Sequence, residues 1–166
     1  MSDKPSLYLE TTIPSYLAAR TSNNIIIAGR QAITHEFWET ERHNFNLYVS
    51  DVVYEECSAG DPVVAKRRLE YLNDIAILNS TPDVKLLAET YMQILSIPYR
   101  SRADAFHLAI CCINEIDYLL SWNCTHLGVE SMLTAQKYND EHGYSTPIMV
   151  TPDGVVNKYT EVDFNA

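Results

Sequence analysis

Short apolar runs recur along the chain, and a stretch with helical spacing follows most of them. The runs are continuous rather than alternating, which is typical of strands that are buried on both faces of a parallel sheet. Turn and helix-breaking residues bound each run, such as the Thr-Thr-Ile-Pro stretch that begins at Thr11. The pattern predicts five strands, at 6–10, 47–50, 75–78, 117–122 and 148–151.

Between these runs, apolar residues recur at the three- and four-residue spacing of amphipathic helices. The longest such stretch covers 24–43, with an apolar stripe of Ile26, Ile27, Ile33, Phe37 and Trp38. Further helices are predicted at 51–56, 61–72, 82–95, 101–115 and 128–142. Alternating strands and helices indicate an α/β fold, a three-layer α/β/α sandwich with a central parallel sheet of about five strands and right-handed crossovers.

The length of 166 residues and the hydrophobic content of 46% suit one domain with a substantial core. We expect a single domain over 1–152, followed by a polar and loosely held C-terminal tail over 153–166.

The net charge of −10 argues against a broad basic surface for nucleic acid. Two small basic clusters remain, one at Lys66, Arg67 and Arg68 and one at Arg100 and Arg102. No apolar run approaches the length of a membrane span, and the first residues lack the apolar centre of a signal peptide, so we expect no membrane association and a cytoplasmic location. The four cysteines have no CxxC spacing and are expected to be reduced thiols without structural zinc.

Four metal-capable side chains stand at predicted element ends. Glu10 closes the first strand, Glu56 follows the second, Asp104 opens a helix, and Asn123 closes the fourth strand. In open parallel sheets, functional groups collect beyond the carboxyl ends of the strands. The spacing therefore predicts a divalent-metal site built from oxygen ligands.

Each of these residues also has a simpler interpretation. Asp104 with Ser101 fits a capping box, Glu56 fits a solvated helix residue, and Asn123 fits a turn former. Glu10 is harder to explain in this way, because an acid at the end of a central strand is partly desolvated without a cation partner.

Four segments together resemble the PIN-domain family, and within it the VapC-like ribonuclease toxins of type II toxin–antitoxin pairs. They are YLETTIPSY at 8–16, SDVVYEE at 50–56, DAFHLA at 104–109 and DYLLSWNCTH at 117–126. The family's three acids match Glu10, Glu56 and Asp104, and Asn123 stands where many members carry a fourth Asp. Glu10 replaces the usual Asp and keeps a carboxylate, whereas Asn123 carries no charge, so the site has three carboxylates rather than four.

The resemblance implies hydrolysis of RNA phosphodiester bonds with Mg²⁺ or Mn²⁺. Clustered carboxylates repel one another, and a divalent cation relieves that repulsion and activates water for attack on the phosphate. We expect Glu10 and Asp104 to be direct ligands, Glu56 a water-mediated ligand or an orienting group, and Asn123 a positioning residue. Thr11 or Thr12 could hold a ligand or phosphate through its hydroxyl.

Two histidines lie close to these residues in sequence. His107 stands three residues after Asp104 and could bond to it, although a half-buried histidine satisfied by backbone is slightly preferred. His126 lies past Asn123 and could either face the site or cap the next helix.

The resemblance also implies partners, namely an RNA substrate and a cognate antitoxin, and a homodimer is plausible because the helix at 24–43 has surplus apolar residues. Two other functions stay open. One is a PIN-like binding module with weak or no activity, motivated by Glu10 and Asn123. The other is a phosphohydrolase acting on a small phosphate ester, since the same carboxylate chemistry serves both.

Overall fold

A parallel sheet of five strands in the order β3-β2-β1-β4-β5 forms the centre of the fold. The structure is a computed structural model that describes residues 3–156. The strands are β1 Ser6–Leu9, β2 Asn46–Ser50, β3 Ala76–Leu78, β4 Tyr118–Leu120 and β5 Ile148–Val150. The predicted five-stranded parallel sheet is confirmed.

The first strand lies in the middle of the sheet, as its apolar sequence requires. Leu7, Tyr8 and Leu9 are completely buried, and Tyr8 pairs with Tyr48 of β2 and Leu119 of β4. The chain passes from β1 to β2 and β3 on one side, and then crosses to β4 and β5 on the other. The strand order therefore reverses between β1 and β4, where a crevice is expected beyond the strand ends.

Eight α-helices accompany the sheet within residues 3–156. They are α1 Thr12–Ala18, α2 Ile25–Glu36, α3 Asp51–Cys57, α4 Pro62–Tyr71, α5 Pro82–Ile94, α6 Arg102–Ile113, α7 Val129–His142 and α8 Pro152–Val156. Helices α1, α2, α4 and α8 pack together, and α5 packs with α6 and α7. Connections between parallel strands are right-handed as a rule, and with this strand order that rule puts the two groups on opposite faces of the sheet. The three-layer sandwich is thus confirmed.

Local signals in the sequence begin several of these helices. The side chain of Asp61 accepts from the backbone N–H groups of Val63 and Val64, and Pro62 occupies the first turn of α4. Thr81 caps α5 in the same way by accepting from the N–H of Val84, with Pro82 in its first turn. The predicted starts of these two helices agree with the structure for this reason.

The helical region after β1 differs from the prediction. Helix α1 was not predicted, because the Thr-Thr-Ile-Pro stretch was interpreted as a stop, whereas Pro14 lies in its first turn, where no N–H partner is needed. The single helix predicted at 24–43 is α2 followed by a π-helical turn at Phe37–Glu41 and a 3₁₀ turn at Arg42–Asn44.

The apolar stripe predicted for α2 was also wrong at its start. Ile26 and Ile27 are 67% and 37% exposed, whereas Phe37 is completely buried. The buried residues of α2 itself are Gln31 and Thr34. Both are satisfied by hydrogen bonds, since Gln31 Nε2 donates to the carbonyl of Arg20 and Thr34 Oγ1 donates to that of Arg30.

The C-terminal tail predicted at 153–166 is packed at its beginning. Residues 153–156 belong to α8, which contacts α2, and Val155 is only 7% exposed. The packed unit therefore continues to at least Val156. The rest of the predicted tail lies outside the described residues.

The sequence also raised the questions of membrane-spanning helices and of the state of the cysteines. Among the described residues, no helix has both the length and the apolar character needed to cross a membrane. Cys57, Cys111 and Cys112 are buried free thiols, and Cys124 is an exposed one. Burial raises the pKa of the Cys57 thiol to about 12, which keeps it protonated and unreactive.

Candidate active site

The site forms at the carboxyl end of the sheet, where β1 and β4 lie side by side. The N–H of Glu10 donates to the carbonyl of Leu120 at 3.1 Å, which extends the pairing of β1 with β4 by one residue. Ser121, Trp122 and Asn123 follow β4 directly, so the residue after β1 and those after β4 meet at this edge.

Glu10 is 4% exposed and is held by three donors. Its Oε2 accepts from the backbone N–H of Thr12 at 3.0 Å, from Thr12 Oγ1 at 2.5 Å and from Ser121 Oγ at 2.7 Å. Thr12 Oγ1 in turn accepts from the N–H of Trp122 at 3.0 Å, and Ser121 Oγ accepts from the N–H of Asn123 at 2.8 Å. The two loops that leave β1 and β4 are thus joined through this carboxylate.

A buried chain of hydrogen bonds holds Glu56 on α3. Glu56 Oε1 accepts from Thr11 Oγ1 at 2.6 Å and pairs with His107 Nε2 at 2.7 Å. On the other side of the ring, His107 Nδ1 lies 2.6 Å from the Tyr8 hydroxyl, which lies 2.7 Å from Ser50 Oγ. Tyr8, Ser50 and His107 are completely buried, whereas the side chain of Glu56 is 36% exposed, so the chain of hydrogen bonds runs from the inside of the sheet to the solvent-accessible crevice.

Glu56 and His107 shift each other's pKa values in opposite directions. Burial alone raises the pKa of Glu56, but the hydrogen bonds from His107 and Thr11 and the charge of His107 outweigh it, so the pKa is lowered. Burial alone lowers the pKa of His107, but the bond to Glu56 and the negative charges of Glu10, Glu56 and Asp104 outweigh it, so the pKa is raised. The pair is therefore favoured as carboxylate and imidazolium.

Asp104 stands in the first turn of α6 and is held from the opposite side of the crevice. Its Oδ1 accepts from Asn123 Nδ2 at 2.8 Å, and its Oδ2 lies 2.6 Å from His126 Nδ1. Asn123 Oδ1 accepts from the N–H of Thr125 at 3.1 Å, which closes a tight turn after β4. The loop after β4 thus supplies both partners of Asp104.

The three carboxylates are linked through neighbouring residues, since Thr11, next to Glu10, bonds to Glu56, and the loop after β4 bonds to Glu10 through Ser121 and to Asp104 through Asn123. Within residues 3–156, however, no three His, Cys, Asp or Glu side chains are arranged so that they could hold a metal ion together. Histidines occupy one oxygen each of Glu56 and Asp104 instead.

The donor set itself fits a hard divalent cation, since carboxylate and amide oxygens are the ligands that Mg²⁺ and Mn²⁺ prefer. The hydrogen bonds to Glu10 all engage Oε2, and those to Glu56 all engage Oε1. Glu10 Oε1 and Glu56 Oε2 are therefore carboxylate oxygens without a hydrogen-bond partner in the described part of the chain.

The structure places the predicted site residues at one edge of the sheet and shows which contacts they make. The capping box does not form, since the side chain of Ser101 makes no capping hydrogen bond and Asp104 bonds to Asn123 and His126 instead. His126 faces the site. Thr11 and Thr12 each hold a carboxylate, as their positions suggested.

The prediction for His107 was wrong in both of its forms. The ring is completely buried rather than half-buried, and it bonds to the side chains of Glu56 and Tyr8 rather than to Asp104 or the backbone.

Three residues of the site were missed by sequence reasoning, namely Tyr8, Ser50 and Ser121. Tyr8 lies between two leucines, and strand alternation places its side chain on the same face as that of Glu10. That alternation was the available signal. Ser50 caps α3 by accepting from the N–H of Val53, a local signal that does not report its bond to Tyr8, and nothing local marks the bond of Ser121 to Glu10.

Two solved structures share this fold. VapC20 from Mycobacterium tuberculosis, a Sarcin-Ricin loop cleaving toxin, matches with a TM-score of 0.58 and 13% identity over 74% of this chain and 93% of its own. VapBC2 from Rickettsia felis, bound to a DNA fragment from their promoter, matches with a TM-score of 0.56 and 11% identity over 87% of this chain and 97% of its own.

Comparison by sequence gives no match, either to a protein-family model or to a curated protein. The likeness is therefore one of fold, and it covers nearly the whole length of both solved chains. It agrees with the resemblance carried by the four sequence segments. On these grounds, the chain has the PIN-domain fold of VapC-type proteins.

Proposed function

We propose that this protein is a divalent-metal-dependent endoribonuclease and the toxin of a toxin–antitoxin pair. The observation that carries the proposal is the network of hydrogen bonds at the carboxyl edge of the sheet that joins Glu10, Glu56 and Asp104 through Thr11, Ser121 and Asn123. The fold shared with a Sarcin-Ricin loop cleaving toxin supports the choice of RNA as substrate.

In this proposal, Glu10 and Asp104 would be direct ligands of the metal ion, Glu56 would be a water-mediated ligand or an orienting group, and Asn123 would position Asp104. Thr12 and Ser121 fix the orientation of Glu10, and Thr11 with His107 fixes that of Glu56. A bound Mg²⁺ or Mn²⁺ would neutralise the clustered carboxylates and polarise both the phosphate and an attacking water.

Glu56 is the residue best placed to orient that water. Its lowered pKa keeps it ionised at neutral pH, and its Oε2 is not used by the protein's own hydrogen bonds within residues 3–156. A carboxylate of this kind accepts a hydrogen bond from water and fixes its direction of attack. The imidazolium of His107 keeps Oε1 fixed while Oε2 does so.

The test is cleavage of a mixed cellular RNA pool by the purified protein with Mn²⁺, with Mg²⁺ and with EDTA, beside Asp104→Asn. Asp140→Asn is the matched control, because Asp140 is an exposed residue of α7. We expect metal-dependent cleavage that falls about a hundredfold or more in Asp104→Asn, since one electrostatic group of the site is lost, and that is unchanged in Asp140→Asn. Equal cleavage by both variants would reject the proposal.

The proposed antitoxin partner rests on the resemblance, because an inhibitor can place a basic side chain among these carboxylates. Copurification of the chain with the product of a neighbouring reading frame, and loss of RNA cleavage in that complex, would support it. Cleavage that is the same with and without that product would count against it.

A homodimer is proposed on separate grounds. Ile25, Ile26 and Ile27 at the start of α2 are 85%, 67% and 37% exposed, and a second copy of the chain would bury them. Sedimentation equilibrium should give a dimer for the parent and a monomer for Ile25→Ser with Ile26→Ser. If the unsubstituted protein stays monomeric at high concentration, the homodimer proposal is wrong.

One observation favours a second candidate function, a PIN-like binding module without activity. Both oxygens of Asp104 are engaged by Asn123 and His126, and no three ligands are arranged for a metal within residues 3–156. Failure to bind Mn²⁺ at millimolar concentration, together with no RNA cleavage, would favour this candidate.

A further inference from the structure

An open cavity of about 490 Å³ adjoins the site on the side of Glu56. It lies between the start of α3 and the segment that leads into α6. Its lining consists of Asp51, Val52, Glu55, Glu56, Ser80, Lys85, Arg100, Arg102, Ala103 and Phe106. Glu56 is the one carboxylate of the proposed site in this lining, and Ala103 is the residue before Asp104.

Three basic and three acidic side chains share this lining. Lys85, Arg100 and Arg102 are three of only twelve basic residues in a chain whose net charge is −10. All three are exposed, and none of them forms an ion pair within residues 3–156. Their charges are thus available to a ligand, because they are not paired with the protein's own carboxylates.

Two of the three acids in the same lining are held by hydrogen bonds or an ion pair, whereas Glu55 is exposed. Asp51 accepts from the N–H of Ser80 at 2.9 Å, from Ser80 Oγ at 2.8 Å and from the N–H of Val52 at 2.9 Å. Glu56 is paired with His107. Three cations therefore balance three carboxylates here, and a polyanion approaches this cavity at lower electrostatic cost than the acidic remainder of the chain.

An exposed aromatic ring stands beside these cations. Tyr99 is 72% exposed, and the guanidinium carbon of Arg102 lies 4.5 Å from the centre of its ring. Arg102 Nη1 also donates to the carbonyl of Tyr99 at 3.3 Å. An exposed aromatic ring beside unpaired cations is the arrangement by which proteins hold unpaired bases and the adjoining phosphates.

We propose that this cavity binds single-stranded RNA next to the cleaved bond, with Lys85 and Arg100 on its phosphates and the Tyr99–Arg102 pair stacking with an unpaired base. The proposal rests on the proposed function for the identity of the substrate. It adds that the RNA must be unpaired at this position, because a base inside a duplex cannot reach the ring.

Binding can be measured apart from cleavage. The parent for this test is Asp104→Asn in EDTA, and the probe is a labelled single-stranded RNA of mixed sequence, with a duplex of the same sequence beside it. Lys85→Gln, Arg100→Gln and Tyr99→Ala are introduced into that parent. Lys66→Gln and Lys137→Gln are matched controls, since both lysines are exposed and lie on α4 and α7, away from the cavity.

We expect Lys85→Gln and Arg100→Gln each to weaken single-strand binding about threefold to tenfold, as for a solvent-exposed charged contact. Each should also lower the slope of log K against log salt by about 0.7, which is the single-strand value for one phosphate contact. The two control lysines should change neither quantity.

Tyr99→Ala should weaken single-strand binding by about fivefold or more through loss of one stacked base. Tyr99→Phe should bind like the parent, and the affinity for the duplex should not depend on residue 99.

Affinities that respond equally to the cavity and control substitutions would overturn the inference. So would a loss in Tyr99→Ala that is the same for duplex and single strand. RNA cleavage by the unsubstituted protein is recorded separately. Cleavage without cavity-dependent binding would contradict this inference but leave the proposed function standing. Cavity-dependent binding without cleavage would contradict the proposed function but leave this inference standing.

Discussion

His107 is the residue on which the site depends most. Its ring is completely buried, yet it joins the Tyr8 hydroxyl to the Glu56 carboxylate at 2.6 and 2.7 Å. A buried polar group is stable only when its hydrogen bonds are made, and here both ring nitrogens are engaged. The position of Glu56 is therefore set by a chain of contacts that begins inside the sheet.

The opposite pKa shifts of this pair predict a pH dependence of stability. The pKa of Glu56 is lowered, so its contribution is complete above the ordinary value of 4.5 and is lost as pH falls through the folded value. The pKa of His107 is raised, so its contribution is complete below the ordinary value of 6.5 and is lost as pH rises through the folded value. Both are complete together between pH 4.5 and 6.5.

We therefore expect Glu56→Gln to lower the free energy of unfolding most in this range. After allowance for solvent screening, the loss should be about 1–2 kcal/mol. Urea unfolding in EDTA at several pH values measures it, with Glu55→Gln at the exposed neighbouring position as control. A loss that stays constant from acid to alkaline pH would show that the pair is not charged in the folded protein.

Tyr8→Phe tests the buried end of the chain of hydrogen bonds that runs from Ser50 through Tyr8 and His107 to Glu56. It removes the hydroxyl between Ser50 Oγ and His107 Nδ1 and leaves buried polar atoms without a partner. We expect a loss of about 1–3 kcal/mol in the free energy of unfolding. Tyr48→Phe is the control, because the hydroxyl of Tyr48 makes no hydrogen bond within residues 3–156. Equal effects of the two substitutions would mean that the buried chain adds nothing specific.

At the scale of elements, the loop after β4 is the part of the site most constrained by its backbone. It carries Asn123 and His126, the partners of Asp104, and it enters α7 at Gly128. A Cβ atom at Gly128 would lie 2.6 Å from the carbonyl oxygen of Cys124, a contact that only a backbone shift can relieve. Glycine is therefore needed here for close approach.

We expect Gly128→Ala to lower the free energy of unfolding by about 1–3 kcal/mol through this overpacking and to reduce RNA cleavage by displacing His126. Gly29→Ala is the matched control, since nothing lies within 4 Å of its added Cβ in α2. Alanine at Gly29 should stabilise the helix by up to about 1 kcal/mol. Thermal unfolding of both variants measures these changes. A Gly128→Ala variant as stable as the parent would contradict the need for glycine at this position.

Elements with strong local signals were predicted well from the sequence. Helices α4 and α5 have an Asp or Thr cap followed by proline, and both begin where the sequence indicated. The region after β1 was predicted poorly, because proline serves equally as a helix breaker and as a first-turn residue. The exposure of Ile26 depends on tertiary packing, which helical periodicity does not report.

The composition of the site was predictable in part. The resemblance pointed to Glu10, Glu56, Asp104 and Asn123, and all four lie at the carboxyl edge of the sheet. Their partners depend on contacts between distant segments, such as Ser121 with Glu10, separated by 111 residues. Local patterns carry no information on such pairs, so the histidine partners of Glu56 and Asp104 were not established from the sequence.

At the scale of the whole molecule, the strand order explains how distant segments form one site. The chain begins in the central strand, builds one half of the sheet, and then crosses over to build the other. The switch between β1 and β4 opens the crevice that receives the loops carrying Glu10 and Asn123. With a net charge of −10, the chain offers few basic positions to a polyanion, and our proposal places it at the cavity lined by Lys85 and Arg100.

The most direct test of the whole account is the rate of cleavage of one defined RNA as Mn²⁺ is removed with EDTA and then added back, for the parent and for Glu10→Gln. We predict that the parent's cleavage stops in EDTA and returns with Mn²⁺, and that Glu10→Gln is about a hundredfold slower at every Mn²⁺ concentration. Cleavage that continues in EDTA, or that proceeds equally in the variant, would contradict a metal-dependent carboxylate site.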